Sequence, residues 1–297
     1  MSDKLLTVTK FKIPFERYGQ EIALLPFSDV HYGAYNHDAN NWGRMLEKCK
    51  QLSKEMPVYY IGGGDYIDLA STSERKIFGD DKIHDTSRRS IDDMAKKITQ
   101  EYIEQISFMK DKTIGMIEGN HHFRYESGQT NTMDICKALN TKYLGGVSLI
   151  RILFEYQRGN SSLCLDVYNH HTAGSKGAGR REGSSLNNLE NMMQVVDADI
   201  YLAGHDHKFN LALPSTIYLD HQMNIKERER MLVRTGSFQK GWMPDHSGYV
   251  PTFNGRPNYL GCPLIILSPT RDKVLIGNRK YAESLRVKKS VRAGDWF

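Results

Sequence analysis

Four apolar runs in this chain, at residues 22–27, 57–61, 113–117 and 200–203, each break off within four residues of a donor carboxylate, amide or imidazole, three of them beside glycine. The runs are short and bounded by turn residues, so they read as strands. Asp29 and His31 follow the first, Gly64-Asp65 and Asp68 the second, Gly119-Asn120-His121 the third, and Gly204-His205-Asp206-His207 the fourth. Glycine turns through left-handed backbone at little cost, so each donor is expected at a strand tip rather than inside a sheet. Asp29 and His31, one residue apart, face the same way on extended backbone and could reach one ion.

The donor types narrow the chemistry. Imidazoles and carboxylates suit manganese, iron or zinc, whereas clustered thiolates indicate structural zinc or iron–sulfur clusters. Cys49, Cys136, Cys164 and Cys262 are far apart in sequence. A single strand histidine, or one Asp before glycine, is ordinarily a core or turn residue. Five such blocks in one order, the fourth of the five at Asn169-His170-His171, each at the mouth of a predicted strand, are not explained that way.

In that order the blocks D-x-H, G-D-x-x-D, G-N-H, H and G-H-x-H resemble the calcineurin-like metallophosphoesterase superfamily, from about Asp29 to His207. The resemblance implies two divalent cations, with manganese leading and iron, zinc, nickel and cobalt as alternatives. It assigns Asp29, His31 and His207 to one ion, Asn120, His170 and His205 to the other, and Asp65 to the bridge. In that family the pair clamps a phosphate and activates a shared water for in-line attack on phosphorus. His121 is the implied general acid. An acidic residue often follows G-N-H, but here His122 does, so Asp68 is taken as the partner that fixes the His121 tautomer. The fourth block, Asn169-His170-His171, offers two histidines facing opposite ways on a strand. His170 is chosen by analogy with relatives whose ligand histidine opens this block, and His171 is the alternative.

The chain has 297 residues, and its ligand blocks must meet in space, so one domain over residues 1–280 with a basic tail at 281–297 is expected. No apolar segment approaches the ~20 residues that cross a bilayer. With no secretory layout at Met1-Ser2-Asp3-Lys4 and with isolated cysteines, a cytoplasmic protein with no membrane association is expected. Helical spacing relates Trp42, Met45, Leu46, Cys49 and Leu52; Ile91, Met94, Ala95, Ile98, Tyr102, Ile106 and Met109; and Leu186, Leu189, Met192 and Val196. Later segments at 147–156, 162–169, 231–234 and 263–267 read as strands. An α/β fold follows. The four-layer α/β/β/α sandwich of two mixed sheets flanked by helices is what the resemblance adds.

Substrate contacts are sought in loops. Residues 69–90 form a long polar stretch of mixed charge expected beside the metals. The glycine-rich segment 174–183 carries Lys176, Arg180 and Arg181, and Arg124 lies three residues beyond His121; all four are candidate phosphate contacts. A basic tail with terminal aromatics could follow a nucleic-acid backbone, although the net charge is only +5 and charge runs are usually solvated. The arginine that protein serine/threonine phosphatases carry after the second Asp is replaced by Leu69. A phosphodiesterase or nuclease acting on DNA, RNA or nucleotides leads, followed by a phosphomonoesterase for small phosphates and then by a non-catalytic metal-binding scaffold. Oligomeric state is not legible.

Overall fold

The computed structural model describes residues 6–69, 85–172, 182–243, 260–276 and 280–292. The strand β2 (Ile22–Phe27) is buried along its whole length, and its alternation sets the layers. Ala23, Leu25 and Phe27 pack toward helices, whereas Ile22 and Leu24 join a second cluster. Period-two alternation with both faces apolar means that β2 is covered on each side.

On one side lie α1 (Ala39–Glu55), α2 (Asp85–Ile106) and α3 (Asn131–Ala138). The predicted α1 stripe of Trp42, Met45, Leu46, Cys49 and Leu52 is buried throughout. Asp38 caps this helix by accepting from Asn41 N at 3.2 Å. Pro57 follows its end and disfavours helical backbone at Met56. Trp42 packs with ring centroids 6.2 Å from Phe27 and 5.0 Å from Phe238, and removing it would cost about 3–5 kcal/mol. Phe238 N in turn donates to Asp29 O at 2.9 Å, so the packed cluster reaches a site loop.

β2 belongs to a five-stranded sheet ordered β13-β12-β2-β3-β4, with β3 (Val58–Gly62), β4 (Thr113–Met116), β12 (Leu264–Ile276) and β13 (Lys280–Arg292). β2, β3 and β4 are parallel, and β12 and β13 complete the sheet antiparallel. The second sheet has order β1-β5-β6-β7-β11-β8. Its strands are β1 (Thr7–Phe15), β5 (Val147–Tyr156), β6 (Ser162–His171), β7 (Ile200–Gly204), β8 (Phe209–Ala212) and β11 (Met231–Thr235). Ile61, Ile114, Ile150, Val167, Leu202 and Val233 fill the space between the sheets. Tyr168, Tyr201, Ala203 and Leu232 face outward onto a short helix, α4 (Asn187–Met192), through Leu189. The layers are helix, sheet, sheet, helix. A two-stranded ribbon, β9 (Ser215–Leu219) with β10 (Ile225–Glu229), stands apart from both sheets.

Three sequence expectations change. Residues 280–292 are not a tail but the edge strand β13, paired with β12 along its length. Four of its basic residues are engaged: Arg286 and Lys288 face Asp272 at 2.8 and 3.5 Å, Arg292 meets Glu21 at 2.6 Å, and Lys289 Nζ donates to Glu229 O. Residues 85–90, read as loop, open α2, and the earlier part of that loop (70–84) lies outside the described residues. Within the α2 stripe, Met94 is exposed while Thr99 is buried, its hydroxyl donating to Ala95 O.

Candidate metal centre

Five strand ends converge at one edge of the sandwich. Asp29 follows β2, Asp65 follows β3, Asn120 follows β4, His171 closes β6, and His205 follows β7. All five are C-terminal ends, where parallel α/β sheets ordinarily place ligand sites. The loops after β2 and β3 run side by side, with Asp29 N bonded to Gly64 O at 3.0 Å and His31 N to Asp65 O at 3.1 Å.

The backbone here differs from the sequence expectation. Asp29 and His31 lie beyond β2, with φ of 51° and 49°; Asp65, His205 and His207 also have positive φ, at 51°, 86° and 57°. Left-handed backbone at non-glycine residues costs about 1–3 kcal/mol each and persists where surrounding contacts over-determine it. The donors themselves make the turns. The motif glycines make room, and of these Gly64 also turns, with φ of 99°. A Cβ on Gly119 would collide with the Asp65 carboxylate, one on Gly204 would lie 2.7 Å from Asp29 Oδ2, and one on Gly64 would lie 2.7 Å from His171 Nδ1. Each glycine thus admits a donor that another block supplies.

The donor atoms form two adjoining groups. In the first, His207 Nε2 lies 3.3 Å from Asp29 Oδ1 and 3.2 Å from His31 Nε2. In the second, His171 Nε2 is 3.0 Å from both Asp65 Oδ2 and Asn120 Oδ1, and His205 Nδ1 is 2.7 Å from Asn120 Oδ1. Asp65 Oδ2 also lies 3.9 Å from His31 Nε2, so its carboxylate adjoins both groups. Its other oxygen accepts from His121 N at 2.7 Å. In donor types and their order, the site resembles that of the calcineurin-like metallophosphoesterases.

No family model matches the chain, and no curated protein matches it. Solved structures give long but distant alignments. A conserved uncharacterized protein from Streptococcus pneumoniae, described as a predicted phosphoesterase, is 12% identical, with 92% of this chain and 98% of that one covered and a TM-score of 0.31. Vps29 from Chaetomium thermophilum is 13% identical over 91% of this chain and 96% of its own, with a TM-score of 0.31. The nuclease MPE of Pseudomonas putida is 14% identical over 82% and 84%, with a TM-score of 0.30. The metallophosphoesterase reading therefore rests on the donors, not on these likenesses.

The residues present fit divalent cations. Burial alone would raise the Asp29 pKa, yet its hydrogen bond with His207 and the nearby His171 and His31 hold it below the usual carboxylate range. Burial opposes a charge on His171, but Asp65 and Asp29 push its pKa up to about 9. His207 is raised likewise by Asp29, against burial. Two buried carboxylates thus demand positive charge between them, a demand that divalent cations also meet. His31 and His205 are lowered, chiefly by burial, which favours the neutral imidazole that ligates.

One expected donor is replaced. His170 is not brought to the cluster: its Nδ1 lies 3.0 Å from the Tyr168 hydroxyl, on the outward face of β6, and burial lowers its pKa to about 4. His171 takes the place instead. The signal was present in the strand, because Leu163, Leu165 and Val167 face the inter-sheet core and the same parity reaches 171.

Asp68 Oδ2 lies 3.0 Å from His121 Nδ1 and 3.2 Å from His31 Nδ1, and the two imidazoles hold the carboxyl well below its ordinary range against burial. Arg124 donates to Gly128 O at 3.3 Å within its own turn. Lys176, Arg180 and Arg181 lie outside the described residues.

Three supporting residues escaped the sequence reading. Ser28 Oγ donates to Asp29 Oδ2 and adjoins Thr235. Fully buried Arg234 donates to Ser185 O, Thr172 O and Gly204 O at 2.8, 3.1 and 3.1 Å, and lies 3.3 Å from Asp206 Oδ2. It ties the backbone just after His171 to the backbone just before His205. Such outer contacts orient ligands and tune the metal. A buried arginine on an otherwise apolar strand was the available clue.

Proposed function

We propose that the chain is a divalent-metal-dependent phosphoric ester hydrolase whose leading substrates are phosphodiester bonds of nucleic acids or nucleotides. The convergence of seven donors from five separated segments, with the Asp65 carboxylate adjoining both groups, carries this reading. Asp29, His31 and His207 would hold one cation, Asn120, His171 and His205 the other, and Asp65 both. Such a pair, with manganese the first candidate, neutralises a phosphate, lowers the pKa of water and steadies both the attacking and the leaving oxygen.

His121 delivers the proton. Its Nδ1 faces Asp68, so Nε2 is the nitrogen available to protonate a departing alkoxide. Asp68 fixes that tautomer. The Asp65 carboxylate accepts from His121 N, which seats the acid beside the donors.

Among the described cations, Arg124 donates to Gly128 O within its own turn and Arg234 is committed to backbone carbonyls. Leu69 stands where protein serine/threonine phosphatases carry an arginine, which disfavours phosphoprotein monoesters. Phosphomonoester hydrolysis is the second reading and rests on the same donors. The test incubates manganese-loaded protein with aryl diester, aryl monoester, cyclic nucleotides, and single- and double-stranded DNA and RNA. Faster turnover of diesters is expected; exclusive monoester cleavage would replace the first reading with the second, and no turnover of any ester would refute both.

A further inference from the structure

We infer that the β9–β10 ribbon is the surface through which two copies of this chain pair. The ribbon is antiparallel, with Leu219 opposite Ile225 and Ile217 opposite Glu227. Directly paired residues share a face, so Ile217, Leu219 and Ile225 stand together. They are 77%, 55% and 75% exposed, and Met223 in the connecting turn is 75% exposed.

The opposite face is anchored. Thr216, Tyr218, Lys226 and Arg228 share it, and Arg228 holds Asp197 at 3.0 Å and Asp199 at 2.9 Å on the body of the molecule. Arg230, just past the base, meets Asp197 at 2.7 Å. The clamp orients the other face away from the fold, with Ile217, Leu219 and Ile225 toward its tip and Glu227 and Glu229 toward its base. An isolated two-stranded ribbon is marginal in water and needs further packing. Among the described residues it pairs with no third strand.

A second copy is the occupant that one patch can satisfy. A symmetric pair uses the same surface twice, whereas a head-to-tail contact needs a second complementary patch. Elsewhere among the described residues, Tyr35, Met94, Val195, Trp242 and Leu285 are exposed on separate segments, and Leu6 with Val8 forms a smaller pair at the start of the chain. At their exposures the four ribbon residues offer roughly 550 Å² per copy, or about 1,100 Å² for a pair when fully covered, the size of a weak, concentration-dependent interface. Pairing there leaves the metal donors untouched.

The test is sedimentation equilibrium of the full chain over a wide range of concentration, with reductant present because Cys164 is exposed. The wild type should approach twice 34.0 kDa as concentration rises. Ile217→Lys and Ile225→Lys should each weaken association by about tenfold or more, with circular dichroism and aryl-ester turnover unchanged. A wild type at 34.0 kDa throughout would overturn the proposal. So would a dimer indifferent to both lysines, or an open series of larger assemblies.

Discussion

Asp68 Oδ2 stands 3.0 Å from His121 Nδ1, and the same oxygen stands 3.2 Å from His31 Nδ1. One carboxylate therefore orients both a proposed metal donor and the histidine proposed as the acid.

Changing His121→Ala should leave metal content intact and slow esters with poor leaving groups by about 10²–10⁴-fold, while activated aryl esters slow far less. Asp68→Asn should do both kinds of damage. It should slow the same poor substrates and also weaken metal binding about 10–100-fold by releasing His31. Metal titration beside steady-state kinetics separates the effects. Equal slowing of good and poor leaving groups in His121→Ala would argue against the acid role.

His171→Ala and His170→Ala should differ sharply. Loss of the His171 nitrogen beside Asp65 and Asn120 should weaken metal binding by at least about 100-fold, more than a typical outer-shell change. Loss of His170, bonded to Tyr168, should leave metal content and turnover near wild type. The reverse ranking would restore the reading made by family analogy.

That contrast marks how far the sequence could be read. The donor blocks were legible because ligation demands particular atoms, and the strands leading to them because both faces of β2, β3 and β7 are apolar. The choice between His170 and His171 required strand parity, which the alternation of Leu163, Leu165 and Val167 contained. The left-handed backbone at Asp29, His31, Asp65, His205 and His207 was not legible, since tertiary contacts, not local preference, hold it. β13 was hidden because lysine and arginine shield an edge strand from further pairing and so resemble a solvated tail. Its Val287 and Val291 pack on the inter-sheet core.

Gly119→Ala tests the packing of one block into another. The added methyl would meet Asp65 side-chain and backbone atoms, so the loops must part. Overpacking of this kind costs about 1–3 kcal/mol. Metal affinity and thermal stability should both fall. Gly43→Ala, whose added carbon meets nothing within 4 Å, is the control and should leave metal binding unchanged. Equal metal affinity in the two variants would contradict the packing role.

Metal uptake should release protons. His171, raised from 6.5 to about 9, is protonated in the metal-free fold near neutrality and must lose that proton to ligate. Because its folded pKa is raised, its contribution to metal-free stability is fully present below the unfolded value of 6.5 and is lost as pH rises through about 9. Metal affinity runs the other way. It should climb about tenfold per pH unit for this proton and flatten above about 9, with His207 adding to the slope. Calorimetry in buffers of different ionisation heat measures the release, and affinity independent of pH between 7 and 9 would count against it.

The most direct measurement is the number of manganese ions bound per chain after loading and exhaustive dialysis, compared between wild type and Asp65→Asn, with ester turnover followed in both. Two ions should bind the wild type, and the variant should lose the pair together with nearly all turnover, because the Asp65 carboxylate adjoins both donor groups. A wild type that retains no ion under any loading condition, or a variant with full occupancy and undiminished turnover, would contradict a paired-metal centre.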